Sequence, residues 1–395
     1  MTSPHQAAIS VSQYWALPGP SRFAAELSHA LESSGTLVVR IDASHITGLR
    51  HAVRDALSSA CPVPERVEFV DLDEGSHLES EVGHHFGRAT LSAMEFATWS
   101  SLPRTTIVLT PRTVRARERC RAYVAEVAAE QSLGRKYSTR LVVIWNAGDD
   151  PLVPSAPCVV GFDGTLSPDE MHAYVTLRMV GQRGPGTTSL ARHLVTEFAG
   201  ADAMLAEELI QLSHEELLQL PESLARVTPR ESRRSPGRSP ELAHQNSIDT
   251  LQDWHRSRSQ GPDAAAAAGR IYSMYWRACV RSLLPWLEER RRPVIDLLRP
   301  SLEDYLSPTK GVWKKVNPWR QHETRDVPID DLEFNDIVAM AHYRADPFSP
   351  VEPEAQRLVE GCRRAKRVRD ALAHLRRPEV GDIERMVRVF DGAIG

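Results

Sequence analysis

Five short runs rich in β-branched residues, separated by segments with helical periodicity, place the strongest limit on the fold of this chain. The runs are GTLVVRID, RVEFVDLD, TTIVLT, RLVVIWN and APCVVGFD, at 35–42, 66–73, 105–110, 140–146 and 156–163. Helical patterns cover 46–60 and 112–132 between them. Strands that alternate with helices favour a parallel sheet with crossover helices. The sequence therefore predicts an α/β domain at the N-terminus.

Two further regions follow the predicted sheet. Residues 167–225 carry helical signals alone and begin SPDEMHAYVTLRM, whose Ser, Pro, Asp and Glu are typical of a helix start. They predict a helical lid that completes a first domain at 1–225. Residues 226–267 are rich in Arg, Ser and Pro and have few aliphatic residues to bury, which predicts a flexible linker in part of this stretch.

Residues 268–395 are predicted to form a second, all-α domain. Apolar residues spaced by three and four predict four or five helices, enough for one bundle. Pro285 predicts a kink or a break in the first of them, because proline removes a helical hydrogen bond. The segment 307–328, which contains Pro and Trp, is predicted to be a loop. The last long helix is expected to stop near Arg377, since the residue before Pro378 avoids helical geometry.

Charge and cysteine content exclude several classes of protein. The formal net charge of −4 argues against a global basic field, so any contact with nucleic acid depends on a local patch. The cysteines and histidines show no disulfide or metal-ligand spacing, which predicts free thiols in a reducing compartment and no metal or cofactor. No window is apolar enough to span a membrane, and the opening MTSPHQAAIS lacks a signal-peptide pattern. A cytoplasmic protein without membrane association is expected.

A phosphate loop is the first functional candidate in the α/β domain. Such a loop reads G-x-x-x-x-G-K-[ST] between a strand and a helix, and its backbone and Lys bind phosphates. ALPGPSRFAAEL at 16–27 and VGQRGPGTTSL at 180–190 contain glycines but no Lys, and the second follows a helical pattern. Both are therefore predicted to be turns. Asp71 and Asp73 follow a strand and resemble a magnesium-binding pair. Without the Lys of a phosphate loop, they are weak evidence for a nucleotide site.

The layout of this half, five strands and then a helical lid, resembles the degenerate P-loop ATPase-like domains that precede effector domains in bacterial proteins. The resemblance lies in the order of the elements and includes no specific motif. It implies a parallel sheet built like that of a P-loop ATPase. It also implies a sensor or assembly module that lacks the phosphate-binding Lys.

The C-terminal stretch RVRDALAHLRRPEV places Arg369, Asp370 and His374 near the end of a helix. Histidine can exchange a proton near neutral pH, and a guanidinium stabilises the charge that gathers on phosphate when a ribose 2′-hydroxyl attacks it. Spacing alone does not decide the role, because Arg40 and His45 have the same separation at a strand end. Five helical residues rotate by about 500°, so Arg369 and His374 point about 140° apart. A distorted last turn or a second copy of the helix is needed to bring them together.

Further charged residues surround this pair. Asp370 is expected to orient the arginine or the histidine. The neighbouring basic side chains are predicted to form the local RNA-binding patch that the overall charge lacks. These are Arg363, Arg364, Lys366, Arg367, Arg376 and Arg377.

The C-terminal domain resembles the HEPN superfamily, whose ribonuclease members carry Arg, a polar residue and, after four to six intervening positions, His in the last long helix. Here the motif reads R-D-A-L-A-H from Arg369 to His374, and the stretches at 275–295 and 331–341 are also similar to bacterial members. The resemblance implies a bundle that dimerises, with Arg369, Asp370 and His374 as catalytic residues. It implies metal-independent cleavage of tRNA or mRNA by a toxin or antiphage effector that a sensor domain gates.

Other interpretations of the same residues stay open. A catalytically silent HEPN-type bundle would serve as an interaction or regulatory subunit of a defence complex, with an operon-encoded partner. An active NTPase of the STAND or AAA type with a helical accessory domain is a third possibility, against which the missing Lys argues. Arg369 and His374 would otherwise be the cationic end of a helix, where each charge stabilises the helix dipole by about 0.3–1 kcal/mol.

Overall fold

The five β-branched runs form one parallel sheet, which confirms the α/β part of the predicted fold. Its strands are β1 (Thr36–Ile41), β2 (Arg66–Leu72), β3 (Thr105–Pro111), β4 (Thr139–Asn146) and β5 (Cys158–Phe162). Their order across the sheet is β2-β3-β4-β1-β5, and all neighbouring strands are parallel. Strands β1, β3 and β4 are buried along most of their length, because helices cover both faces of a parallel sheet.

The structure, a computed structural model, describes most of the chain. The described residues are 11–41, 48–60, 66–75, 77–98, 105–133, 139–146, 154, 156–180, 187–227, 250–258, 262–317, 320–343 and 346–394. Among these residues, none of the helices combines the length and the apolar character that a membrane crossing demands.

Helices pack on both faces of the sheet. They are α1 (Val11–Trp15), α2 (Pro18–Ser33), α3 (Leu49–Ala60), α4 (Leu78–His84), α5 (Ala93–Thr98) and α6 (Val114–Ser132). On one face, Val38 and Val143 share a core with residues of α4, α5 and α6. On the other, Phe23 of α2 stacks on Phe162 of β5, with 4.6 Å between ring centroids. Alternate strand residues thus point to opposite faces, as the period of two requires.

The sequence pattern predicted α3 and α6 but missed α4 and α5 between β2 and β3. These two helices are seven and six residues long, which is fewer than two turns each. A helical period cannot be recognised over so short a stretch. The tertiary core stabilises them instead, because Phe96 of α5 is fully buried against Tyr123 of α6, with 6.4 Å between ring centroids.

The second part of the chain is helical, with one β-hairpin. Its helices are α7 (Pro168–Arg178), α8 (Thr188–Ala199), α9 (Ala203–Ile210), α10 (His214–Leu218), α11 (Leu220–Ser223), α12 (Thr250–Ser257), α13 (Pro262–Leu306), α14 (Phe334–Ala341), α15 (Pro353–Ala373) and α16 (Val380–Ile394). The hairpin strands are β6 (Val312–Asn317) and β7 (Arg320–Pro328), which pair antiparallel between α13 and α14.

The described residues divide into a sheet unit that ends at Glu170 and a helical unit that begins at Met171. The boundary therefore differs from the predicted one at 225, and the segment interpreted as a lid belongs to the helical unit. The cause is long-range packing of α8 on α13. Glu197 of α8 accepts hydrogen bonds from Arg277 and Arg281 of α13, the first at 2.8 Å.

Part of the predicted linker at 226–267 is helical. Residues 228–249 and 259–261 lie outside the described residues, but α12 and the start of α13 are formed. Thr250 donates to the carbonyl of Phe198 at 2.7 Å, and Trp254 donates to the carbonyl of Pro221 at 2.8 Å. These contacts with distant helices order a segment whose composition alone favoured flexibility.

Helix α13 continues through Pro285, so the predicted break does not occur. Pro293 and Pro300 also lie inside this 45-residue helix. Each proline removes one hydrogen bond, which is tolerated where side chains on both sides are buried. Such side chains include Leu283 and Leu287, which are 2% and 4% exposed.

The segment 307–328, predicted to be a loop, contains the β6–β7 hairpin. Trp313 of β6 lies directly opposite Val327 of β7, and Lys315 lies opposite Arg325. The run VWKKV of β6 lacks the apolar–polar alternation of a half-buried strand, and proline and charged residues follow it, so the sequence pattern did not indicate a strand. Val327 is 5% exposed, so one end of the hairpin is anchored in the helical core.

Candidate active site

Helix α15 carries both residues of the predicted catalytic pair. One side of the helix packs in the core, through Leu358, Cys362, Ala365, Val368 and Leu372, at intervals of three and four residues. Arg369 follows Val368 and therefore lies at the edge of this buried face, where half of its side chain is exposed. His374 is exposed beyond the last buried residue. The apolar spacing of the sequence thus determines that both side chains reach the surface.

The helix ends at Ala373, earlier than the predicted stop near Arg377, and His374 is its C-terminal cap. The N–H of Arg376 donates to the carbonyl of Ala371 at 2.7 Å, and the N–H of Leu375 donates to that of Leu372 at 3.2 Å. These two bonds make a Schellman motif, in which the residue after the cap adopts left-handed geometry.

Leu375 has φ of +52°, a conformation that usually belongs to glycine. For a residue with a side chain this geometry costs about 1–2 kcal/mol. The leucine side chain offsets little of this cost by burial, since it is 65% exposed. Backbone strain of this kind is concentrated at functional sites.

Two aromatic side chains of α13 hold the turn that carries His374. The indole N–H of Trp276 donates to the carbonyl of Leu372 at 3.0 Å. The hydroxyl of Tyr272 donates to the carbonyl of Leu375 at 2.9 Å. Tyr272 and Trp276 are four residues apart, so they share one face of α13. They fix the backbone on both sides of His374.

Arg369 is held by a carboxylate of the preceding helix. Its Nη1 lies 2.9 Å from Oε2 of Glu333, the residue that caps the N-terminus of α14. The hydrogen bond from Arg369, together with the charges of Arg369, Lys315 and Arg291, holds the pKa of Glu333 below its usual range despite partial burial. Glu333 therefore stays ionised at neutral pH and presents the guanidinium at the surface.

Asp370 was predicted to orient the arginine or the histidine, and within one chain its side chain pairs with a different residue. Its carboxylate binds Nζ of Lys366 at 2.5 Å, one turn earlier on the same helix. The N–H of His374 donates to the backbone carbonyl of Asp370 at 3.0 Å. Among the described residues, however, no hydrogen bond joins the side chains of Arg369, Asp370 and His374 to one another, and the imidazole of His374 has no hydrogen-bond partner. The pair is therefore not assembled within a single chain.

Most of the predicted RNA-binding patch is neutralised by carboxylates. Arg364 binds Glu360 and the buried Asp382, at 2.8 and 2.6 Å, because these residues face it on α15 and α16. Arg363 contacts Glu360 at 3.2 Å, and Arg367 lies 3.7 Å from Asp382.

The other two arginines of the patch differ from each other. Arg377 binds Glu222, and its guanidinium lies 4.4 Å from the ring centroid of Tyr275. Arg376 is exposed and has no side-chain partner within the described ranges. Four of the five arginines predicted to bind RNA thus lie next to carboxylates, and residue spacing alone does not show which arginines meet carboxylates of other elements.

The phosphate-loop candidates lie in other contexts. Gly19 sits in the first turn of α2, after a helix, and its N–H donates to Glu170. Residues 181–186 of the second candidate lie outside the described residues, and Thr187 caps α8. Asp71 is bound by Arg50 and Arg112, the latter at 3.0 Å, so two arginines neutralise its charge.

A phosphate loop lies between a strand and a helix, and the connection from β1 to α3 has this context in the sequence. Residues 42–47 lie outside the described residues; Gly48 has φ of +76°, and Leu49 begins α3. A phosphate loop would place Lys after this glycine. In the sequence, a glycine placed between a predicted strand and a predicted helix indicates this candidate position better than the number of glycines does. No group of metal-ligating side chains occurs in the part of the chain that the structure describes.

Buried thiols do not extend the site. Burial raises the pKa of Cys120 and of Cys279 to about 12, and it raises the pKa of Cys362 as well. These thiols are therefore protonated at neutral pH, and a protonated thiol is a poor nucleophile. The exposed groups at the end of α15 remain the best candidates for chemistry.

Comparisons with known proteins show only distant similarity. No protein-family model and no curated protein matches the chain. The structure is similar to RIF2 of Saccharomyces cerevisiae, with 14% identity over 57% of this chain and 94% of that chain and a TM-score of 0.32. It is also similar to a chain of the E. coli MS115-1 HORMA:CdnC:Trip13 complex, with 12% identity over 56% and 86% and a TM-score of 0.31. At these TM-scores neither similarity bears on the function.

Proposed function

We propose that the protein is a metal-independent endoribonuclease of the HEPN type whose site contains His374 and Arg369. The observation that carries the proposal is the preorganised turn at the end of α15. Tyr272 and Trp276 bind the carbonyls on both sides of His374, and Leu375 is held in a strained conformation. A cationic helix end that only stabilises a dipole requires neither device.

The proposed reaction is transfer of phosphate within RNA. The ribose 2′-oxygen attacks the adjacent phosphorus, the bond from phosphorus to the 5′-oxygen breaks, and a cyclic phosphate and a 5′-hydroxyl are formed. His374 exchanges a proton with one of the two oxygens. Arg369, kept charged and exposed by Glu333, donates to the phosphate oxygens as negative charge gathers there.

The proposed active unit is a homodimer. Arg369 and His374 do not contact each other within one chain, and a helix places them about 140° apart. Two copies of α15 around a two-fold axis would bring the arginine of one near the histidine of the other. The exposed side chains of Leu375 and Arg376 leave this end of the helix open to a second copy.

The sheet unit is proposed to act as a sensor of the degenerate P-loop ATPase-like class. Its parallel sheet has the architecture that such a domain requires. Leu49, the first residue of α3, follows Gly48 at the position where a phosphate loop would have the Lys that neutralises a phosphate. We expect this unit to gate the ribonuclease without hydrolysing ATP.

A silent interaction module is the second candidate. The neutralised arginines of α15, together with Arg377 just after it, favour this candidate, because ion-paired side chains contribute little to RNA affinity. In this case a partner protein, rather than RNA, would cover the end of α15.

The purified full-length protein tests the proposal when it is incubated with tRNA and with mRNA in EDTA. We expect cleavage that leaves 2′,3′-cyclic phosphate and 5′-hydroxyl ends, because no metal-bound water takes part. Cleavage that requires a divalent cation, or that leaves linear 3′-hydroxyl ends, would contradict this chemistry. Absence of cleavage of either RNA would favour the interaction module.

Tyr272→Phe tests whether the turn positions His374. The substitution removes only the hydroxyl that donates to Leu375, so we expect kcat to fall about 10-fold through misplacement of the imidazole, with KM unchanged. Tyr305→Phe is the matched control, because its hydroxyl also donates to a backbone carbonyl, that of Asp346, at 2.7 Å. Equal effects of the two substitutions on kcat would show that the Tyr272 bond has no special role.

A further inference from the structure

The β6–β7 hairpin is a feature of the helical unit that the proposed chemistry does not use. Its segment 310–328 contains five Lys and Arg residues against two Asp and Glu residues, in a chain whose overall charge is negative. An isolated two-stranded hairpin is only marginally stable in water, so interactions outside the hairpin must stabilise it at this position.

The hairpin leads directly to the carboxylate that holds Arg369. Strand β7 ends at Pro328, and Glu333 follows at the cap of α14. Lys315 of β6 binds Asp336 of α14 at 2.8 Å, and its charge also lowers the pKa of Glu333. One face of the hairpin thus adjoins the ion pair that presents Arg369.

Arg325 shares that face. It lies directly opposite Lys315 across the two strands, and directly opposite residues point to the same side of a hairpin. Like charges in this arrangement destabilise a sheet. Asp336 neutralises Lys315, whereas Arg325 is exposed and has no carboxylate partner in the described ranges. An anion bound by Arg325 would neutralise the charge that no described carboxylate compensates.

We propose that the Arg325 face of the hairpin binds the phosphate backbone of the RNA that is cleaved at His374 and Arg369. This inference rests on the proposed ribonuclease function. In this proposal Arg325 supplies the phosphate contact in place of most arginines of α15, because a phosphate contact requires a cation without a carboxylate partner. Lys314 lies on the opposite face of the hairpin, across from Asp326, and is therefore not part of the proposed RNA-binding face.

The test measures RNA binding by full-length His374→Ala, which binds without cleaving. A fluorescent single-stranded RNA is titrated at several salt concentrations between about 50 and 200 mM, the range over which phosphate contacts dominate affinity. Adding Arg325→Ala is expected to weaken binding several-fold and to reduce the slope of log affinity against log salt by about 0.7, one phosphate contact on a single strand. Adding Lys314→Ala removes the same charge from the other face and should leave both quantities unchanged.

The outcomes separate this inference from the ribonuclease proposal. If the His374→Ala protein binds RNA and Arg325→Ala changes neither affinity nor slope, the hairpin is not the RNA contact and the ribonuclease proposal stands. If Lys314→Ala weakens binding as much as Arg325→Ala, binding does not depend on the face, and the inference is also overturned. If the His374→Ala protein does not bind RNA at all, both proposals fail.

Discussion

His374→Ala is expected to lower the rate of RNA cleavage by about 10²–10⁴-fold, the contribution of a positioned general acid or base. The imidazole is exposed and forms no hydrogen bond or ion pair with other described side chains, so its removal should not change the fold. The free energy of unfolding is therefore expected to stay within about 0.5 kcal/mol of the wild type. Cleavage of tRNA and mRNA in EDTA, followed over time, measures the rate.

Arg369→Ala should have a comparable effect, because it removes the cation that stabilises the phosphate in the transition state. Arg40→Ala is the control, since Arg40 and His45 reproduce the same sequence spacing in the sheet unit. Together, the three variants show whether cleavage depends on Arg369 and His374 themselves or only on an Arg and a His with this separation. Cleavage that survives His374→Ala would exclude this histidine as a catalytic residue, and loss in Arg40→Ala would show that the effect is not specific.

Gly361→Ala is expected to destabilise the helical unit by about 1–3 kcal/mol, the usual cost of overpacking a core. A Cβ at Gly361 of α15 would lie 2.6 Å from Cε1 of Phe390 and 2.9 Å from Cγ1 of Val389, both on α16. Phe390 cannot move away, because it is fully buried and stacks on Phe334 and Trp286, with ring centroids 5.3 and 6.0 Å apart. The close approach of α15 and α16 therefore depends on this glycine.

Gly269→Ala, in the same helical unit, is expected to change stability in the opposite direction. Gly269 lies on the exposed side of α13, and a Cβ there would meet nothing within 4 Å. Alanine is a better helix former than glycine by about 1 kcal/mol, so this variant should be more stable than the wild type. Urea unfolding of both variants measures the difference. Equal stability of Gly361→Ala and the wild type would mean that the α15–α16 interface relaxes at no cost.

The local sequence pattern determined the strands and the surface position of the predicted pair. The central strands β1, β3 and β4 each contain a continuous apolar run, and a strand buried on both faces must be largely apolar whatever its neighbours are. The spacing of buried residues in α15 similarly placed Arg369 beside the core face rather than in it. Both inferences needed only the period of a single element, which is a local property of the chain.

Elements whose stability comes from distant contacts were not predictable in this way. The α4 and α5 helices are too short to show a period, and α12 depends on hydrogen bonds to Phe198 and Pro221. Proline and charged residues conceal the hairpin in the sequence, and burial of Val327 against the helical core stabilises it. Propensity is a weak guide wherever tertiary packing supplies most of the stabilisation.

The sequence by itself identified the candidate catalytic residues, His374 and Arg369 at a helix end, and the arginines around them. Only the tertiary structure decided which of these groups are free. It paired Arg364 with Asp382 and Arg377 with Glu222, left Arg325 without a carboxylate partner among the described residues, and fixed the turn at His374 through Tyr272 and Trp276. The physical reason is that an ion pair or a hydrogen bond between helices depends on distances across the fold, and residue spacing along one helix contains no information about them.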